Sequence, residues 1–328
     1  RRYRGEAMLC KNGRSALALA LKAYFRPGEA VIVNGFTCYA VYEAVKAAGL
    51  TPVWADISKE DLNYNLSILE KIVNKNVRGI IIQNSLGNPV DIVAVEKFAK
   101  KHNLTIIEDL AHCAGVKYAD GREVGTVGAA AALSFGKDKV IDTISGGAVV
   151  LREPCKHKVK APRKLPKISD HLRARFYPMF GATCRGLTAV HLGGVLMRCL
   201  VGMHWVEKSA DNRLDLERRP SRFEAKLALK QLKKLKKSGE PPIREFYLVR
   251  DRESVLAQLQ RAGYYFDGLW YKKPVAPERY YRKIHFPEAE CPVAVAVAEQ
   301  IINLPTYYSK RDLESARKII EQYVEEEK

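Results

Sequence analysis

The sequence predicts an α/β protein with a mainly parallel central sheet flanked by helices and a smaller C-terminal α/β domain. Three observations carry that expectation. From Ala30 to Asn103 short apolar runs alternate with amphipathic helical stretches, the signature of βαβ units. The next apolar run, LTII from Leu104, ends in two carboxylates, Glu108 and Asp109. A later stretch pairs Ser134 with Phe135, sets Lys139 four residues past that Phe, and turns through Gly146 and Gly147 into a further apolar run. An acid and a lysine at the ends of two such strands can meet in the crevice where open α/β sheets bind ligands.

Taken in order, Gly13 to Ala23 (GRSALALALKA) has Ala and Leu at helical spacing behind a small polar start. Such a helix either offers its first N–H groups to an anion or is an ordinary buried helix with an N-cap. Ala30 to Val33 reads as a strand, NGFTCYAVYEAVKAAG as a turn into a helix, and Thr51 to Asp56 as a second strand. Asn76 to Asn84 (NVRGIIIQN) is a third, and SLGNPVD then turns into the helix IVAVEKFAKKHN. The middle reads differently. Pro154 to Lys167 is rich in Lys and Pro, and Phe176 to Val206 is apolar but punctuated by Arg185, His191, Arg198 and His204. No run there has the length of a transmembrane helix. An amphipathic helix or hairpin with a basic margin fits, resting on an anionic bilayer, on a dimer partner, or packed as a plain insertion. The chain closes on an amphipathic helix, Arg311 to Glu325. The expected division is 1–151 for a large domain, 152–215 for the basic insertion and 216–328 for the small domain.

Composition sets bounds. The 328 residues suffice for a large core, 47% hydrophobic content fits a soluble globular chain, and the net charge is +18. Ten Lys/Arg against two acids lie between Arg152 and Arg185, so much of the excess is local. Aromatic and basic residues do not interleave at a known module spacing, and no nucleic-acid partner is expected. Seven scattered cysteines form no CxxC pair and no Cys/His spacing suited to zinc, which points to reduced thiols, a cytoplasmic setting and no metal. The opening RRYRGEAMLC has neither a start Met nor a leader, so the expectation is a record that begins inside a longer reading frame.

The chemistry open to Lys139 and Asp109 is carbonyl chemistry through a Schiff base. A desolvated lysine amine condenses with an aldehyde, and a carboxylate facing a pyridine nitrogen keeps that ring protonated as an electron sink. By themselves an Asp and a Lys are usually solvated surface groups. The whole pattern says more. IIEDLAHCAG, VGTVGAAAALSFGKDK and ISGGAVVL, in that order and spacing, resemble the DegT/DnrJ/EryC1/StrS family of pyridoxal 5′-phosphate (PLP) sugar aminotransferases. The resemblance runs from about Gly13 to LPTYYSKRDLESARKII and omits only about 152–215.

The resemblance implies the PLP-dependent transferase fold type I and a set of site residues. Lys139 takes the Schiff-base position, with Lys137 as a rival two residues closer to Phe135. Asp109 faces the pyridine nitrogen, and His112 lies beside the ring near its phenolic oxygen. Gly13, Arg14, Ser15 and Ser134 hold the phosphate, although the family has a small hydroxyl residue where Arg14 stands. Cys38 replaces the family's stacking aromatic, leaving Phe36 or Tyr39 as a ring face or as core packing. Arg219 matches a family arginine, while Glu217 and Arg218 depart from the Asn and aromatic that reach a neighbouring subunit. The implied activity moves an amino group from glutamate to a keto sugar carried on a nucleotide, in a homodimer. Peripheral contact at the inner membrane surface through 152–206 comes from that segment's own pattern, not from the resemblance, and stands beside the dimer-partner and plain-insertion readings. A sugar dehydratase, which has His at the lysine position, and a non-catalytic sensor or scaffold are the alternatives.

Overall fold

The computed structural model describes residues 2–136, 139–143, 145–152, 154–187, 192–203, 205, 213–238, 244–264, 269–304 and 310–324. Lys137, Pro305, Thr306, Glu325 and much of 188–212 therefore lie outside the described residues.

The first half builds one sheet. In chain order it comprises β1 (Glu6–Cys10), α1 (Gly13–Tyr24), β2 (Ala30–Asn34), β3 (Thr37–Cys38), α2 (Tyr39–Ala47), β4 (Thr51–Ala55), α3 (Leu66–Ile72), β5 (Val77–Ile82), α4 (Ile92–Lys101), β6 (Thr105–Asp109), β7 (Ala130–Ser134) and β8 (Gly147–Leu151). Seven of the strands form a sheet in the order β1-β8-β7-β6-β5-β2-β4. Neighbours from β7 to β4 pair in parallel, and β8 runs antiparallel to both β7 and β1. The expected mainly parallel sheet is present, with β8 as its one reversed strand among the described residues.

Local chemistry accounts for the elements. The Asn12 side chain caps α1 by accepting the Ser15 N–H at 2.8 Å, and Asp91 caps α4 through the Ala94 N–H at 3.0 Å. Helix α1 is buried on nearly every side, which is why it reads ALALAL and not as an amphipathic stripe. It crosses the small residues Ala130 to Ala132 of β7, where the missing side-chain volume lets helix and sheet approach. Leu17 and Leu21 are fully enclosed there, each burial contributing about 1.5–3 kcal/mol. On the other face of the sheet, Ile80 and Ile82 pack with Val95, Phe98 and Ala99 around α4.

The second half continues through α5 (Ile168–Gly186), α6 (Gly193–Gly202), α7 (Arg222–Ser238), β9 (Phe246–Leu248), α8 (Arg252–Arg261), β10 (Val275–Ala276), α9 (Glu278–Tyr281), α10 (Pro292–Gln300), β11 (Ile301–Asn303) and α11 (Lys310–Glu321). β9 and β11 pair antiparallel, and Val249, Val255, Leu259, Ile302, Ala316 and Ile320 make a separate apolar cluster under α8 and α11. Two ties bind this part to the sheet. Buried Asp56 accepts the Val293 and Ala294 amides at the start of α10, at 3.0 and 2.8 Å, an anion at a helix N-terminus. β10 pairs in parallel with β3, carrying the chain that follows Trp270 and Tyr271 up to the carboxyl edge of the sheet.

Candidate active site

The two carboxylates that end β6 point to opposite faces, as successive strand residues must. Glu108 is fully buried and accepts the Tyr118 hydroxyl at 2.8 Å and the amides of Gly125, Val127 and Gly128 at 2.6, 2.9 and 2.6 Å. It organises the 118–128 loop and has no free face for a ligand. Asp109 is half-buried at the carboxyl end of the strand and accepts the Ala111 N–H at 3.0 Å. Burial pushes its carboxyl up to about 6, against the opposing pull of the Ala111 N–H and the Lys139 charge.

Lys139 rides on the loop between β7 and β8. The loop's neck closes where Phe135 donates to the Gly146 carbonyl at 2.9 Å and Thr143 donates to the Phe135 carbonyl at 2.9 Å. Gln231 of α7 holds its far side, accepting the Asp142 N–H at 2.8 Å and donating to the Asp142 carbonyl at 2.6 Å. So held, Lys139 Nζ stands 3.1 Å from His112 Nε2 and 4.3 Å from the centre of the Trp270 ring.

His112 is buried, and its Nδ1 accepts the Leu86 N–H at 3.3 Å, which assigns the ring proton to Nε2. Burial, then the Lys139 and Arg244 charges, hold its pKa well below the usual imidazole range, so the ring is neutral at physiological pH. Nε2 also lies 3.2 Å from the Tyr271 hydroxyl. Trp270 stacks on the imidazole at 4.5 Å, and the buried Arg244 guanidinium stacks on the indole at 3.6 Å. Asn303 accepts from Arg244 Nη1 at 3.3 Å and donates to the Trp270 carbonyl at 2.6 Å, so the cap is built wholly from residues after Ser238.

Asp109, His112 and Lys139 are therefore brought together. Ser134 meets Gly13 instead, at the start of α1. A Cβ on Gly13 would lie 2.5 Å from Ser134 Cβ and 3.0 Å from its Cα, so only glycine lets the helix abut the strand end there. Gly13→Ala is expected to cost about 1–3 kcal/mol, read as a lower urea midpoint. Ser15 is already engaged, its amide by Asn12 and its hydroxyl by the Asp215 N–H at 3.0 Å. The Arg14 guanidinium pairs with Glu43 of α2 at 2.8 Å. Phe36 is core, 5.3 Å from Tyr271, and Tyr39 stacks on Tyr280 at 4.2 Å. Cys38, where the family has its stacking aromatic, caps α2 by accepting the Ala40 N–H at 3.5 Å.

The comparisons fit this geometry. Residues 3–169 match the model of the DegT/DnrJ/EryC1/StrS aminotransferase family. The chain belongs to this family. It is 32% identical over 170 residues to a pleiotropic regulatory protein of Geobacillus stearothermophilus and 36% identical over 148 residues to a GDP-perosamine synthase of Escherichia coli O157:H7. These matches cover 50% and 45% of this chain, and the chain spans less than half of each relative, 45% and 40%. A UDP-N-acetyl-3-dehydro-α-D-glucosamine 3-aminotransferase of Acidithiobacillus ferrooxidans aligns at 27% identity over 94% of this chain and 81% of its own. Among solved structures, Streptomyces venezuelae DesV in complex with a ketimine intermediate superposes with a TM-score of 0.71 at 21% identity, over 100% of this chain and 87% of that one, which shows the shared fold.

The family's aminotransferases use PLP, and the donor set suits it. A half-buried carboxyl held near 6 gains most from a cation brought against it, and a primary amine stands beside a neutral imidazole. Asp109 makes a stability prediction in the absence of that cation. An acid with a higher pKa folded than unfolded binds more protons in the folded state between the two values. Its contribution is thus complete below about pH 4 and is lost as pH rises through about 6. Cofactor-free Asp109→Asn is expected to exceed the parent in stability at neutral pH by up to about 3 kcal/mol, with no difference below about pH 4, in urea unfolding across that range.

Proposed function

We propose that the protein is a PLP-dependent aminotransferase that moves an amino group from glutamate to a keto sugar carried on a nucleotide, for polysaccharide or glycan precursors. The observation that carries the reading is the convergence of Asp109, His112 and Lys139 at the carboxyl edge of the family's sheet. Bound there, the cofactor supplies an electron sink conjugated with the amino group in transit.

The protein's residues do the rest. Asp109 would hold the ring nitrogen, and a cation there would offset the desolvation that raises its carboxyl to about 6. Lys139 is the base that takes the proton from the donor's Cα, a role such groups fill with factors of about 10²–10⁴ in rate. His112, kept neutral with its proton on Nε2, would donate that one N–H toward the phenolic oxygen. Trp270 covers Nζ and limits its contact with water. Ser134 and the start of α1 at Gly13, Arg14 and Ser15 hold the phosphate, with Ser15 limited to its hydroxyl proton. The proposal includes a homodimer, a cytoplasmic setting with contact at an anionic membrane surface through 152–206, and the division at 151 and 215.

The test is the absorbance of the purified protein with PLP, before and after borohydride, with mapping of the reduced adduct. A near-visible band that borohydride fixes on Lys139, and that glutamate bleaches and a keto sugar nucleotide restores, supports the reading. A missing band, or label absent from Lys139, overturns it. A non-catalytic role is the second reading, favoured by the engaged Ser15 amide and by Cys38 serving as a helix cap.

A further inference from the structure

We infer that the α5–α6 hairpin is a docking face that lies in the plane of an anionic lipid bilayer. The inference deepens the membrane part of the proposed setting and is independent of the chemistry at Lys139. Of the fourteen exposed large apolar side chains among the described residues, nine fall between Leu165 and Trp205. So dense a cluster on a single hairpin is a surface meant to be covered.

The pattern on α5 is that of an interfacial helix. Ile168, Leu172, Phe176 and Met179, spaced four, four and three apart, share one face, and all are exposed, Ile168 at 80% and Met179 at 54%. Ala174, Tyr177 and Cys184 occupy the opposite side. Ala174 and Cys184 are buried, and the Tyr177 hydroxyl reaches Asp142 Oδ2 at 3.4 Å on the loop that carries Lys139. On the second arm Val195 and Met203 are exposed, and Trp205 meets Phe180 edge-on at 5.8 Å. Tryptophan with its polar N–H at the rim of an apolar patch is the residue favoured at the water–lipid boundary. No described helix is long and apolar enough to cross a membrane, and Arg173 and Arg175 interrupt α5 near its middle, so the helix lies on the surface.

Charge selects the occupant. Lys156, Lys158, Lys160, Arg163, Lys164 and Lys167 lead into α5, all exposed. Helix α7, packed against α5, presents Lys226, Lys230 and Lys233 along one exposed face. Among the described residues the nearby acids are engaged: Asp170 faces Arg173 at 3.8 Å, Glu217 pairs with Lys164, and Glu224 is buried. A second copy docked through this face would set the same basic margin against itself, which an isologous contact between chains of net charge +18 disfavours. Anionic headgroups complement the margin while the acyl boundary takes the apolar face.

Flotation of the full chain with vesicles tests this, using phosphatidylcholine alone and phosphatidylcholine with about one-third phosphatidylglycerol. The expected result is flotation with the anionic vesicles, at least about tenfold weaker on neutral ones and reduced as salt screens the margin. Leu172→Glu with Met179→Glu should lower it about tenfold, and Lys158→Glu with Lys160→Glu should do the same, while thermal melting and the cofactor spectrum match the parent. Parent protein that stays in the lower fraction overturns the inference, as does the Leu172/Met179 variant floating like the parent. A parent dimer that this variant splits, with neither form floating, assigns the face to a second copy instead. Spectrum and amino transfer on the same samples report on the aminotransferase reading separately.

Discussion

Lys139→Ala is expected to lower amino transfer at least about a thousandfold and to leave the fold intact. The loop that carries the lysine is closed by backbone and by Thr143 and Gln231, not by the Lys139 side chain, so truncation removes the amine without opening the neck. What is lost is the group 3.1 Å from His112 and under the Trp270 ring. Two measurements check it: steady-state transfer from glutamate to a keto sugar nucleotide, and the near-visible band with PLP. Lys137→Ala is the control, expected to retain both. If Lys137→Ala abolishes the borohydride-fixed label and Lys139→Ala does not, the lysine assignment is wrong.

Much of this was legible because it is local. The alternation of apolar runs and amphipathic stretches located α1, β2, β4, β5, α4 and β6 to within a few residues, since each buries a fixed periodicity. The direction of β8 was not legible, because a strand buried on both faces has the same pattern either way up. Nor was the cap of Trp270, Tyr271, Arg244 and Asn303. These four come from three segments joined only when β10 pairs with β3 and β11 with β9, and no spacing in the chain encodes a meeting over that distance. Paired aromatics at Trp270 and Tyr271 were the available signal. Ser15 shows the converse limit: its place in the first turn of α1 follows from the local pattern, but that Asn12 accepts from its amide and that its hydroxyl oxygen accepts from Asp215 does not.

The largest expected loss of stability lies one residue from the site. Glu108→Ala should destabilise the protein by about 3–5 kcal/mol, because a buried carboxylate is removed while the donors arranged around it stay. Three backbone amides and the Tyr118 hydroxyl lose their acceptor at once, in a place water does not reach. Arg152 worsens the imbalance. Its guanidinium donates to the carbonyls of Gly125 and Gly128 on the same loop and of Tyr3 before β1, and its charge is left without the opposing one. Glu108→Gln separates the two effects. It keeps the volume and one acceptor oxygen but turns an NH₂ toward amide donors, so about 2 kcal/mol or more should still be lost. Chemical unfolding of both variants reads this directly, and a loss under about 1 kcal/mol for Glu108→Ala would show that the loop finds other acceptors. The consequence reaches the chemistry. The 118–128 loop leads into β7, where Ala129 donates to the Ile106 carbonyl at 2.8 Å, and β7 delivers Ser134 and then Lys139. A loosened loop therefore shifts the lysine against Asp109, and Glu108→Gln should bind PLP more weakly even at temperatures where it remains folded.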